Sequence, residues 1–207
     1  MISISLPPEQ TEARPQDWKT VADITAEAFA EDPVNRWAFG SPRAIQSAFR
    51  VLIREMYINQ GRCFLSGDDG ATTWLEPGAE ANFTTWAMIQ FALGQATHGE
   101  NGALKRATSL GELMSQHHPK EPHMYLFTIG TRASARGKGL GKALLRPVLD
   151  ACDSERIPVY LENSNPANTG FYTAHGFERV GLFEVCESGP VMEPMWRTPR
   201  ALGSVYS

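Results

Sequence analysis

The run Arg136-Gly137-Lys138-Gly139-Leu140-Gly141 has the residue types of a diphosphate site. Glycines let a backbone turn tightly and approach a ligand closely. An apolar segment precedes the run and a helical pattern follows it, so the turn opens a helix. The first amides of a helix have no internal partner and sit at the positive end of its dipole. Arg136, Lys138 and Lys142 add full charges, and the combination suits an anion such as a diphosphate. A glycine-rich turn carrying solvated cations has the same letters, so the turn alone leaves both readings open. Two other phosphate motifs fail. Walker A requires Gly at position 136 and Ser or Thr after Gly141-Lys142, where this chain has Arg136 and Ala143. The dinucleotide fingerprint requires a third glycine where Lys142 stands.

The elements around this turn are read from periodicity. Residues 1–13 read as a loose leader. Trp18, Val21, Ile24, Ala28 and Phe29 recur at helical steps from about Pro15, and Asp32-Pro33 is expected to end that helix. Ser41-Pro42 reads as an N-cap with a first-turn proline, opening a second helix that Gly61 stops. Residues 62–66 and 71–75 flank Gly67-Asp68-Asp69-Gly70 as a hairpin. Residues 81–118 read as one or two helices. His123–Ile129 is apolar on both faces and therefore central in a sheet. Gly139–Glu155 follows as a helix, with Pro147 predicted to kink or loosen it. A strand at Ile157–Glu162, a short helix capped at Asn165-Pro166, and strands at Phe177–Val185 and Val191–Arg197 complete an α/β pattern around one sheet.

Bulk properties narrow the function classes. The 207 residues, 42% hydrophobic and 20% charged, suit one globular domain spanning 1–207. A net charge of -4 lacks the basic footprint of a nucleic-acid binder and tilts the partner toward a cationic molecule. No apolar run approaches the roughly 20 residues of a membrane span. The first residues lack a signal peptide's pattern, so a cytoplasmic location is expected. Cys63, Cys152 and Cys186 are odd in number and far apart, which predicts reduced, structural thiols. His117-His118 does not read as a metal site, since neighbours on a helix face different ways and no third ligand is evident. Trp74, Trp86 and Trp196 read as core.

With the elements placed, the phosphate turn resembles the R/Q-x-x-G-x-G/A signature of the GCN5-related N-acetyltransferase (GNAT) superfamily. Asn165-Pro166-Ala167-Asn168-Thr169-Gly170-Phe171-Tyr172-Thr173-Ala174-His175-Gly176-Phe177 resembles the same family's N-x-x-A-x-x-x-Y-x-x-x-G-F block, at the expected distance downstream. The likeness is close over residues 120–197 and extends by element order over 14–80. It implies a mixed, mostly antiparallel central sheet with a splayed strand pair, flanked by helices, with residues 81–118 as a helical insertion. It also implies acetyl-CoA as acyl donor, with pantetheine along Ile129, Gly130 and Thr131 and pyrophosphate on residues 137–142. Asn165 matches the family's asparagine, and Asn168 stands where the family has alanine, so either amide is expected to touch the cofactor.

The implied reaction is direct acyl transfer to a primary amine of a small molecule or peptide. It needs a base or water chain for the amine's proton and donors for the developing oxyanion. Tyr172 matches the family's general-acid tyrosine; the alternative is a tyrosine that only packs on the cofactor. His123 falls where some members place a base, with Tyr125 on the same face; it also reads as a strand-start histidine bonded to a loop. Glu162, at a strand end, is expected to attract the substrate ammonium or relay its proton, or else to be a solvated carboxylate. Trp37, in the first interhelical turn, is a candidate substrate contact. The insertion is expected to cover the acceptor side of the slot. A homodimer is compatible with the family, as is a non-catalytic acyl-CoA-binding module on the same fold.

Overall fold

The computed structural model describes residues 2–200; Met1 and residues 201–207, at the ends of the expected domain span, lie outside the described residues. The segment expected to be a loose leader is tied down. β1 (Gln10–Glu12) pairs antiparallel with β2 (Arg62–Ser66), and Ile2 packs in the core beside Phe64. A 3-10 turn at Pro15–Asp17 leads into α1 (Trp18–Ala28).

Asp32-Pro33 opens a helix instead of merely ending one. α2 (Pro33–Phe39) has Asp32 as its N-cap, with Asp32 Oδ1 accepting from Asn35 N at 2.9 Å and proline in the first turn. Ser41 caps α3 (Pro42–Leu52) in the same way, accepting from Ala44 N. α3 runs on through a π-helical turn, Ile53–Tyr57, into α4 (Ile58–Gln60). The wide turn sets Tyr57 flat on Phe127, with ring centroids 4.0 Å apart.

β2 and β3 (Gly70–Leu75) form the expected hairpin. The insertion is α5 (Thr85–His98) and α6 (Ala103–His117), joined at a left-handed Gly102. α5 is apolar nearly all round. One side packs on α3; the other leaves Trp86 62% exposed, so Trp86 is not core. Trp74 is fully buried and Trp196 half-buried.

β4 (Met124–Thr131), α7 (Leu140–Ser154), β5 (Val159–Asn163), α8 (Thr169–Ala174) and β8 (Val191–Arg197) supply the C-terminal half. The strand expected over Phe177–Val185 is two fragments, β6 (Glu178–Arg179) and β7 (Phe183–Glu184), both paired with β8. Val180 N donates to Pro194 O, but proline has no N–H to return the bond, and the ladder breaks there. Strand order is β1-β2-β3-β4-β5-β8-β6, with β7 also on β8, and among the described strands only β4 and β5 run parallel. α7 covers one face of the sheet and α1 with the π turn the other. Cys63 and Cys152 are buried, and burial pushes both thiols up to about 12; Cys186 is exposed and contributes nothing to the core.

Pro147 lies inside α7 and cannot donate to the carbonyl of Ala143. Gln10 Nε2 donates to that oxygen at 2.8 Å, so β1 supplies the bond the proline removes. Gln10→Ala should lower stability by about 1–3 kcal/mol, since the carbonyl is then left unsatisfied. In a Pro147→Ala background the backbone recovers its own donor and the penalty should shrink. Equilibrium denaturation of the four proteins measures this coupling; equal penalties in both backgrounds would refute it.

Candidate active site

Two features of β4 open a slot in the sheet. Its register with β3 carries one extra residue, Phe127, opposite the Thr73–Trp74 step, and such bulges bend a strand. Its parallel pairing with β5 lasts only for Met124↔Val159 and Tyr125↔Tyr160. Beyond Tyr125 the edge of β4 facing β5 has no described strand paired with it, so its amides and carbonyls are open to an extended ligand. A cavity of about 970 Å³ lies along this edge. Ile129, Gly130, Thr131, Arg136, Asn165, Asn168, Tyr172 and Glu162 all line it.

At one end the turn before α7 is built as a cradle. Gly137 (φ +76°) and Gly139 (φ +77°) take the left-handed conformation, and a Cβ added to either would meet nothing within 4 Å. Gly139 is the N-cap and offers no side chain to the first-turn amides of Leu140, Gly141 and Lys142. Arg136, Lys138 and Lys142 are exposed around them. The loop is fixed where it leaves β4: Glu27 accepts from Arg132 Nη1 at 2.6 Å and from Ala133 N at 2.9 Å. The Ala133 amide, with Arg132, holds the Glu27 carboxyl below its ordinary range. An open strand edge, a cavity and a side-chain-free helix start fit the thread-like arm and diphosphate of coenzyme A.

At the other end Glu162 turns inward. Its side chain is 1% exposed, so it is no solvated strand-end carboxylate. Oε1 is buried without a hydrogen-bond partner. Three phenols face this carboxylate: burial first, and then the charge of Glu162, pushes Tyr57, Tyr125 and Tyr160 well above the ordinary tyrosine range. His118 Nδ1, at the end of the insertion, stands 3.5 Å from Glu162 Oε1. His118 Nε2 is 3.1 Å from His123 Nε2, and His123 Nδ1 is 2.6 Å from the Glu121 carbonyl. That carbonyl only accepts, so His123 carries its proton on Nδ1. Burial depresses His123 and keeps it neutral, so its Nε2 accepts from His118 Nε2–H. His118 Nδ1 is then the ring nitrogen that faces Glu162. Because opposite ring nitrogens of His118 face Glu162 and His123, the three groups share no common point for a metal.

Three residues expected at the site lie behind it. His123 precedes β4, bonded to a loop carbonyl, and does not line the cavity; it reaches Glu162 only through His118. Tyr125 is buried against Tyr160, behind Glu162. Trp37 packs among α2 and α6 residues, its carbonyl accepting from Arg106 Nε at 2.6 Å. His117 and His118 point apart: His117 stacks on Phe183.

Sequence reasoning missed Asp32 and His118. Asp32 lines the cavity, is 6% exposed, and accepts from Ser164 Oγ at 2.7 Å as well as from Asn35. Burial raises its carboxyl above the ordinary aspartate range despite those bonds. The N-cap pattern that identified Ser41-Pro42 applied equally to Asp32-Pro33. Nothing local in the sequence foretold His118. Tyr172 is 8% exposed; burial, then the charge of Asp32, pushes its phenol up, so it keeps its proton at neutral pH. Its helix is held by a buried network in which Glu193 Oε2 accepts from Thr169 Oγ1 and Asn163 Nδ2.

Fold and site together define an acyl-CoA-dependent transferase class. A model of the Acetyltransferase (GNAT) family matches residues 73–177, and the chain belongs to that family. It is 26% identical over 182 residues to an uncharacterized N-acetyltransferase, C550.08, of Schizosaccharomyces pombe, spanning 78% of this chain and 71% of that protein. Its fold matches a structure described as histone acetyltransferase HPA2 and related acetyltransferase from Corynebacterium glutamicum, with a TM-score of 0.66 and 23% identity over 94% of this chain and 98% of the other. It also matches a GNAT-like decarboxylase, GphF, in complex with isobutyryl-CoA, with a TM-score of 0.56 and 14% identity over 92% and 99%. No described helix is long and apolar enough to cross a membrane.

Proposed function

We propose that the protein is an acetyl-CoA-dependent N-acetyltransferase that moves the acyl group directly to a primary amine. The observation carrying this reading is a buried carboxylate, Glu162, backed by His118 at 3.5 Å and lining the same cavity as a protonated phenol, Tyr172. Residues 137–142 would hold the donor's pyrophosphate, the open edge of β4 at Ile129–Thr131 its pantetheine, and Asn165 or Asn168 would bond its amides. When bound, the donor supplies an activated thioester.

Glu162 holds the acceptor's ammonium and takes its proton. His118, with 35% of its side chain exposed, passes that proton toward solvent, and His123 fixes its tautomer. His123 is therefore assigned a supporting place in the relay and Glu162 that of the base. A backbone N–H on the open edge of β4 stabilises the carbonyl oxygen as it gains charge. Tyr172 keeps a phenolic proton available for the departing sulfur. Carboxylates around the cavity, with the chain's acidic balance, favour a cationic acceptor.

Tyr172→Phe tests the assignment. It should lower kcat by roughly 10²–10⁴-fold, the range of general acid–base contributions, with acetyl-CoA affinity unchanged by calorimetry. Unchanged turnover removes the acid role. Acetyl-CoA binding by the parent protein without turnover of any amine would instead favour a non-catalytic acyl-CoA-binding module.

A further inference from the structure

The two halves of the cavity differ in chemistry. The half along β4 and the phosphate turn offers backbone, amides and Arg136. The half beneath the insertion is walled by phenyl rings: Phe39 from α2, Phe49 from α3, Phe83 before α5 and Phe91 on α5, with Met88 and Met114. Phe91 meets Phe39 edge-on, with centroids 6.2 Å apart at 72°, and meets Phe83 at 5.8 Å and 73°. Such rings offer an incoming ring both faces and edges. Among the described lining residues Arg136 is the sole cation, and it belongs to the phosphate turn. The buried charge available to an acceptor is therefore negative. Glu162 Oε1 makes no hydrogen bond, its nearest basic neighbour being His118 Nδ1 at 3.5 Å, whereas Asp32 is already bonded to Asn35 and Ser164.

We infer that the acceptor is an arylalkyl primary amine: one ammonium, one aromatic body and no second charge. This rests on the N-acetyltransferase reading above. The ammonium finds the Glu162 carboxylate, and the ring finds the phenyl wall. An amino acid of the same shape brings a carboxylate into a space that holds carboxylates and no free cation. A polyamine buries a second ammonium among phenyl rings. The amino acid's carboxylate thus enters a low-dielectric site without a partner.

Steady-state thiol release from acetyl-CoA by the full chain tests this, with 2-phenylethylamine, ethylamine, spermidine, phenylalanine and a lysine-containing peptide as acceptors. 2-Phenylethylamine should have the highest kcat/KM, exceeding ethylamine by roughly 30-fold or more, as expected for burial of an apolar ring. A second variant reads the wall directly. Gly111 lines the cavity from α6, and a Cβ there would meet nothing within 4 Å, so Gly111→Leu adds bulk without a clash and removes a helix-interior glycine. It should raise KM for 2-phenylethylamine about tenfold and leave KM for acetyl-CoA unchanged. A higher kcat/KM for spermidine, phenylalanine or the peptide overturns the acceptor class and leaves the acetyltransferase reading standing. Turnover of none of the five overturns both.

Discussion

Glu162→Gln is expected to lower kcat by roughly 10²–10⁴-fold while acetyl-CoA still binds with its parent affinity. The substitution keeps shape and removes the proton acceptor. A purely structural role predicts a different pattern. The carboxylate is buried with one oxygen unbonded, and three phenols surround it, so it costs free energy to place there. Taking away the charge should leave the melting temperature unchanged or raise it. Loss of activity with stability retained is the signature of a group kept for chemistry at the expense of stability. The neighbouring relay refines the test. His118→Gln removes the group 3.5 Å away but leaves the carboxylate, and should reduce kcat by a smaller factor, about tenfold. Full activity in Glu162→Gln would eliminate the carboxylate as base and leave water as the remaining acceptor.

The parts of this site legible in the sequence are those whose function depends on consecutive residues. A diphosphate cradle needs glycines two apart, cations between them and a helix directly after. Gly137, Gly139 and α7 supply these within a few positions, and the left-handed backbone at both glycines is the conformation their placement implied. Tyr172 came with its block for the same reason. The splayed pair was an implication of the family resemblance, and the physical devices behind it, the extra residue Phe127 and the two-residue contact of β4 with β5, leave no local signature.

What stayed hidden depends on contacts between distant segments. His118 is 44 residues before Glu162 in the chain, and only the packing of α6 against the sheet brings them together. Trp86 has the composition of a core residue, yet α5 is apolar on more faces than its neighbours can cover. The N-terminal residues carry little periodicity, yet β1 adds to the sheet edge and Gln10 completes a hydrogen bond broken at Pro147. His123 and Tyr125 were placed on the correct strand face, but that face looks toward Tyr160 and His118 instead of into the cavity.

The largest expected effect on stability lies away from the cavity, at Asp153→Ala. Arg197, on β8, is 0% exposed, and its Nη1 and Nη2 donate to the two oxygens of Asp153 on α7 at 2.7 and 2.6 Å. Its Nε donates to the His175 carbonyl at 2.9 Å, at the end of the helix that bears Tyr172. Removing the carboxylate takes two charge-assisted hydrogen bonds from a buried guanidinium, which should cost about 3–5 kcal/mol. The melting temperature should fall on the order of 10 °C. Arg197→Met added to Asp153→Ala removes the buried charge and should recover part of the loss, whereas additive penalties would show that the two residues act independently. Acid gives an independent reading. Burial opposes ionisation of Asp153, but the bonds from Arg197 and the Arg200 amide prevail and hold its carboxyl below the ordinary range. A carboxyl whose folded value is depressed contributes fully above its unfolded value, about 3.9, and loses that contribution as pH falls below it. Between roughly pH 5 and pH 2 the parent protein should therefore lose stability more steeply than the Asp153→Ala variant. Parallel slopes in urea titrations across that window would show that the pair does not govern the acid limb. At neutral pH and low temperature, where the variant remains folded, its turnover should approach the parent's, because the pair anchors α8 and makes no contact with the cavity.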